Sequence, residues 1–258
     1  MKKNLIYLFV IWGLLISRFS AQTVQEYLSQ GDKYYEQFNN EKALEFYQKA
    51  DVAFPDNWEI LWRISRAHVD IAEHMPSSTD EQEDAQIAKF NLAFEYANRA
   101  VKIAPNQSVT YLRRAIANGK IALFKGVFSV AGVVNQVKAD CEKAISLNNG
   151  GNDIQGVTHY VYARTHAKIS EKWKPARAVL GLGWANIETA LSNYQKAIEL
   201  KPNFMMFYVD YAKALISEDD YNKAREMLKK AISCKNEDED DAKLREEARQ
   251  LFKKIEKE

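Results

Sequence analysis

A helix-hairpin signature that returns along the chain at uneven intervals constrains the fold more than any other feature. Tyr27, Gln30, Gly31 and Tyr34 are followed by Ala43, Tyr47, Ala50 and Pro55 across residues 24–57. These residue types suit two antiparallel helices that cross closely: Gly31 and Ala43 let the backbones approach, Tyr34 and Tyr47 fill the gap, and Pro55 stops the second helix. The second half of the pattern recurs as Ala93, Ala97, Ala100 and Pro105; as Val137, Cys141, Ala144 and Asn149; as Ala190, Tyr194, Ala197 and Pro202; and as Ala224, Leu228 and Ala231. Five hairpins are therefore expected.

The equivalent alanines, Ala50, Ala100, Ala144, Ala197 and Ala231, stand 50, 44, 53 and 34 residues apart. Against the 34-residue unit of a helix–turn–helix repeat, three intervals carry extra chain. First-helix patterns resume in register after Pro55 (Trp58, Leu61, Ile64) and after Pro105 (Tyr111, Ala115), so the extra residues belong between the two helices of a hairpin, near 74–89, 123–132 and 171–189. Insertions at matching positions of a solenoid stack on one face. Residues 123–134 are too apolar for a solvated loop, and 171–184 carry Trp173, Pro175, Leu180 and Trp184. These segments are expected to pack on their own array and fill part of its groove; the competing reading makes Phe124, Phe128 and their neighbours an exposed contact patch for a partner or a membrane.

The motif resembles the tetratricopeptide-repeat superfamily over residues 24–236. Within it, the order of features over 120–231 is similar to the regulator of microtubule dynamics family: Val137–Leu147, a first helix around His159–Ala167, a Trp-containing insertion, then Ala190–Pro202. The family's Gly-Arg-Trp-like stretch is replaced here by Tyr162, Ala163, Arg164, Thr165 and His166. The resemblance implies an all-α fold, a right-handed superhelical array of about five decorated hairpins. It also implies that first helices line a concave face at repeat positions 2, 5, 9, 12 and 13. Counting from each register places Leu28, Asp32, Tyr35 and Glu36, then Glu59, Trp62, Arg66, Val69 and Asp70, then Leu112, Ile116 and Lys120, then Tyr160 and Arg164, then Val209, Lys213 and Ile216 on that face.

Ten glycines and five prolines leave little material for the turns of a sandwich or barrel, and 47% hydrophobic residues argue against disorder. Lys and Arg number 36 against 35 Asp and Glu, so global charge gives no reason to invoke nucleic acid or an anionic membrane. Lys2 and Lys3 precede an apolar run from Leu5 to Ser17 that ends in Arg18, Phe19, Ser20 and Ala21, the pattern of a secretory signal. Residues 1–21 are read as that signal, 22–236 as the repeat domain, and 237–258 as an acidic linker and capping helix. The linker, Glu237–Asp241, offers Asp240 or Asp241 as a helix cap. The capping helix follows, with Leu244, Ala248, Leu251 and Ile255 on its apolar side. Export implies a periplasmic or secreted protein that is not stably inserted in the membrane once the signal is cleaved, and such a chain would not meet microtubules. Cys141 and Cys234 have no framework spacing and are read as free thiols.

Catalytic and metal constellations are poor. His68 and His74, and His159 and His166, are too widely spaced to ligate from one helix face, and no phosphate loop or nucleophile elbow is present. No enzyme activity, cofactor or metal is expected. The preferred function is a non-enzymatic scaffold that binds a protein or peptide partner in its groove, with possible homo-oligomers and no nucleic acid. Tyr35, Trp62 and Tyr160 would supply aromatic contacts, and Arg66, Arg164 and Lys213 would pair with carboxylates. The alternative is a ligand-binding or transport-accessory protein in which the insertions roof an apolar pocket.

Overall fold

The computed structural model describes residues 23–126 and 128–258; the signal assigned to residues 1–21 lies outside them. Among the described residues there are 12 α-helices and no strand. They pair as five hairpins, α1 (Val24–Tyr35) with α2 (Asn40–Ala53), α3 (Trp58–Glu73) with α4 (Asp80–Ile103), α5 (Ser108–Lys125) with α6 (Ala131–Leu147), α7 (Gly151–Ser170) with α9 (Ile187–Leu200), and α10 (Met205–Ser217) with α11 (Tyr221–Ser233). A short α8 (Lys174–Val179) sits inside the fourth hairpin, and α12 (Asp241–Lys254) follows the fifth.

Local chemistry sets most boundaries. Thr23 and Glu26 form a reciprocal capping box at α1. The side chains of Asn39, Asn57, Thr79, Asn186 and Asp220 each accept an orphan amide of the helix they precede. Pro55, Pro105 and Pro202 stand just past α2, α4 and α9, where a missing amide and a fixed φ end a helix at no cost to its ladder.

The repeat register holds in the packing. Ala43, Ala50, Ala93, Ala97, Ala100, Ala144, Ala190, Ala197, Ala224 and Ala231 are fully buried, and Cys141 takes the equivalent place in the third hairpin. Any Cβ on Gly31 would overlap the ring of Tyr47, which lies flat on α1 at that point. Gly156 repeats the device, since a Cβ there would come within 3.1 Å of the Lys201 Cβ and 3.4 Å of the Ala197 carbonyl.

The insertions fall between the helices of a hairpin, as their register requires. The first is partly a helix: residues 80–89 extend α4 by nearly three turns, and Ile87 and Phe90 pack on Val69, Ala72, Ala117 and Ile121. The second and third pack on each other, with Leu182, Trp184 and Ala185 against Ala122, Val130 and Val134. Phe124 is an inward residue of the neighbouring core and Phe128 is exposed, so the two phenylalanines of the expected patch separate.

The acidic segment after α11 corrects its sequence reading. Neither Asp240 nor Asp241 caps α12; the Asp241 Oδ2 instead accepts the amides of Glu237 at 2.7 Å and Asp238 at 2.9 Å, folding the segment into a tight turn. That turn reaches the beginning of the array: Asn40 donates to Glu239 at 3.1 Å across 199 positions, and His74 lies 3.3 Å from Glu239 and 3.6 Å from Asp240. A solenoid normally brings only neighbouring repeats together; here an acidic strap links the fifth hairpin to the first and second. The helix α12 itself seals α10 and α11 through Leu244, Ala248, Leu251 and Ile255.

A groove with an acidic strap as the candidate functional site

First helices of successive hairpins line a concave cavity of about 570 Å³. Its walls include Tyr35 from α1, Trp62, Arg66 and Asp70 from α3, Arg113 and Lys120 from α5, and Tyr160 and Arg164 from α7. The strap residues Glu237–Asp240 cover part of its mouth. The insertions neither fill the groove, the outcome expected from the sequence, nor roof it: only His74 and Leu123 of them reach the cavity, because the insertions pack on one another and on the adjacent helices, and the cover comes from the strap. Leu28, Leu112 and Val209, placed by the repeat count on the concave face, are fully buried between helices instead.

At the amino-terminal end, Arg66 is fixed on three sides. Its guanidinium stacks 3.3 Å above the Tyr35 ring, donates to the Tyr47 hydroxyl at 3.2 Å and to Asp32 at 3.4 Å. Asp32 also accepts from Tyr47 at 2.6 Å and Arg63 at 2.9 Å, so this carboxylate serves as the hub of the first two hairpins. Burial would raise its pKa, but the hydrogen bonds from Arg63 and Tyr47 and the nearby Arg66 charge hold it below the usual value. Trp62 is surrounded by three guanidinium groups, those of Arg63, Arg66 and Arg113, at 4.3, 5.0 and 5.4 Å from its ring.

Arg113 and Asp70 are different in kind. Among the described residues Arg113 makes no hydrogen bond or ion pair, and its Nε is buried without a partner. Burial and the like charge of Arg66 bring its pKa down to about 10. Asp70, on the facing helix, has a buried Oδ2 without a hydrogen bond; burial pushes its pKa up to about 6, and the nearby Arg113 and Arg66 charges and the Tyr35 hydroxyl only partly offset it. The cavity thus presents an unsatisfied donor and an unsatisfied acceptor on adjacent walls, each of which costs free energy until something bonds to it.

At the other end the charged groups are paired with one another, although the Arg164 Nε, held in an ion pair, also lacks a hydrogen bond. Tyr160 is only 5% exposed; its ring stacks on Phe207 at 4.7 Å and its hydroxyl donates to Asp210 at 2.7 Å. The same carboxylate receives Arg164 at 3.4 Å and Lys213 at 3.2 Å. Burial opposes ionisation of Asp210, yet Arg164 and Lys213 together hold its pKa below the ordinary range. Lys213 does not line the cavity, and also pairs with Glu247 of α12 at 2.9 Å. Of the six site residues read from sequence, Tyr35, Trp62 and Arg66 therefore cluster at one end, Tyr160 and Arg164 at the other, and Lys213 behind the second group. Sequence reasoning missed Arg113, one position from the counted Leu112, and the strap. The adjacent pair Arg113-Arg114 was the available signal for the first. No local pattern encodes the second.

The histidines are structural. His68 stacks on Tyr96, and burial takes its pKa down to about 4, as it does for His166. Among the described residues no group of three His, Cys, Asp or Glu side chains is arranged to hold a metal. Cys141 and Cys234 are free. No helix of the described residues is long and apolar enough to cross a membrane.

A family model described as regulator of microtubule dynamics protein 1-3 matches residues 27–256, well beyond the stretch that carried the resemblance in the sequence. The mouse regulator of microtubule dynamics protein 1 is 28% identical over 193 residues, which cover 70% of this chain and 58% of the relative. Its bovine counterpart is 28% identical over 195 residues, covering 70% and 56% respectively. The rat regulator of microtubule dynamics protein 3 is 24% identical over 190 residues, 71% of this chain and 38% of that protein. The chain thus spans little more than half the length of the first two. Among solved structures, a thermophilic TPR protein of Thermus thermophilus superposes with a TM-score of 0.60 at 16% identity, over 90% of this chain and 98% of that one. That likeness establishes the tetratricopeptide-like fold.

Proposed function

The chain belongs to the regulator of microtubule dynamics protein 1-3 family, and from that premise we propose a non-enzymatic helical-repeat scaffold that holds a peptide segment of a partner protein in its concave groove. The observation that carries the reading is the pair Arg113 and Asp70, a free donor and a free acceptor facing one cavity beside Trp62. A peptide offers both complements, a carboxylate or carbonyl for Arg113 and a backbone or side-chain N–H for Asp70, whereas a wholly apolar guest would leave both unpaired. Tyr35 and Trp62 supply the aromatic area that binding hot spots use. The segment after the lysine-flanked run Leu5–Ser17 supports export to a periplasmic or extracellular space, and the microtubule role in the relatives' names is not transferred to such a chain.

A second reading, a small-molecule site, draws on the strap, which partly encloses the cavity as a lid would. One experiment separates the two. Gly119 lines the cavity and has open space around a built Cβ, so it accepts a photoreactive side chain. Illumination in the native host should give a protein adduct that is lost with Trp62→Ala or Arg113→Met. An adduct confined to small molecules, or none at all, overturns the scaffold reading.

A further inference from the structure

The tips of the second and third insertions form a surface that the groove does not use. Of the nine large hydrophobic side chains exposed among the described residues, four lie here, Phe128, Trp173, Val179 and Leu180; a fifth, Leu123, stands at the edge and also lines the groove. Trp173 is 74% exposed and Val179 86%. The inner sides of the two insertions share a core, and Trp184 donates to Asn135 at 2.7 Å, so the two tips are held side by side. The tip is stiff. Arg177 is buried and donates to the Ala185 carbonyl at 2.8 Å, and the Leu182 amide returns to the Arg177 carbonyl at 2.7 Å.

Charge distribution marks the same face. Residues 121–139 and 172–187 contain no Asp or Glu, in a chain that has 35 of them. They do contain Lys125, Lys172 and Lys174, all exposed and none paired with a carboxylate among the described residues. The balanced total of 36 cations and 35 anions conceals this local excess.

We propose that this face docks on an anionic lipid surface, independently of what the groove holds. A Trp between two lysines beside protruding Val and Leu matches the interfacial region of a bilayer, where an indole sits at headgroup level and ammonium groups meet lipid phosphates. A protein partner is the weaker fit, because the buried centre of protein interfaces is depleted in Lys and relies on Arg and satisfied polar rims. Docking is peripheral, since no described helix can span a bilayer. Each lysine adds roughly a fivefold gain near a negative surface, so the lysines and the apolar tip act together.

The test uses the chain from Gln22 onward, the form left once the signal is removed, so that neither Trp12 nor the amino-terminal apolar run contributes. The probe is a vesicle of phosphatidylcholine with a minor share of phosphatidylglycerol, carrying brominated acyl chains that quench tryptophan on contact. Strong quenching is expected, most of it lost when Trp173→Phe is added. Lys172→Glu with Lys174→Glu should raise the lipid concentration needed for half-saturation at least about tenfold, while circular dichroism stays unchanged. Vesicles of phosphatidylcholine alone should quench weakly. Binding without Trp173 quenching would place the contact elsewhere and overturn the proposal. So would equal binding to neutral vesicles, or indifference to the lysine reversals. No vesicle binding at all would overturn it as well. None of these results depends on a groove partner, so this proposal and the groove reading fail separately.

Discussion

The two ends of the groove use the same residue types to opposite ends. Around Asp210, a phenol, a guanidinium and an ammonium converge on one carboxylate and its pKa is depressed. Around Asp70, two guanidinium groups lie near without bonding, and burial raises the pKa to about 6. Arg113 and its sequence neighbour Arg114 show the contrast within one helix. Arg114 grips the buried Asp140 with two bonds of 2.7 and 2.9 Å, and Arg113 grips nothing among the described residues. Charge ties helices together at both ends, through Asp210 at one and Asp32 at the other; what sets the amino-terminal end apart is Arg113 and the Asp70 Oδ2, which make no hydrogen bond among the described residues.

The largest effect should come from breaking the satisfied end. Asp210→Ala strands three polar groups and is expected to lower unfolding stability by about 3 kcal/mol, measured by denaturant melts. A loss below about 1 kcal/mol would mean that Asp210 is not the hub described. Overpacking comes next: Gly31→Val must displace the Tyr47 ring and should cost on the order of 1 to 3 kcal/mol, and normal stability would show the crossing to be looser than described.

Acid titration separates the ends by sign. Asp210 has a folded pKa below its unfolded one, so its contribution is complete above the unfolded value and is lost as pH falls through the lower folded value. Asp70 runs the other way. Its pKa rises from 3.8 unfolded to about 6 folded, so its ionisation removes stability as pH climbs through that window, and none further above it. Asp70→Asn should therefore leave the protein more stable than the parent at neutral pH and flatten this part of the profile. Loss of stability at neutral pH in that variant would show that Asp70 has a partner after all.

The smallest effect belongs to the strap. Burial works against a charged His74, but the Asp70 carbonyl, Glu239 and Asp240 outweigh it and raise the pKa above 6.5. The latch is then charged below that ordinary value and weakens as pH rises through the raised one. Spin labels at Gln37→Cys and Lys243→Cys, with Cys234→Ser, should report a single short distance near pH 6 and an added longer population in mildly alkaline buffer. His74→Gln should remove the pH dependence. Exposed ion pairs of this type contribute about 1 kcal/mol or less, so the global melting temperature should hardly move.

Much of this was legible in the sequence, for identifiable reasons. Small residues at close crossings and prolines after second helices are short-range requirements, so Gly31, Ala190 and Pro202 announce hairpins wherever they stand. The insertions could be placed because first-helix patterns resume in phase after Pro55 and Pro105. Repeat counting also brought Tyr35, Trp62 and Arg66 to one wall. It failed where pairing decides the outcome: Tyr160, Arg164 and Lys213 read as surface anchors because their common acceptor, Asp210, sits on another hairpin. The strap was read as a linker because Glu239 meets Asn40 only after the array has curved through five hairpins, a property of accumulated geometry that no window of sequence contains.

Paired melts of Arg113→Met and Arg114→Met measure directly whether Arg113 is spare where Arg114 is structural. Methionine keeps the apolar stem of either side chain and removes the charge. Arg114→Met should lose several degrees because it leaves the buried Asp140 without its partner. Arg113→Met should leave the melting temperature nearly unchanged, since Arg113 makes no hydrogen bond or ion pair among the described residues and loses only a longer-range attraction to Asp70. Equal losses in the two variants would show that Arg113 holds the fold as Arg114 does, and the groove would have no free donor to offer.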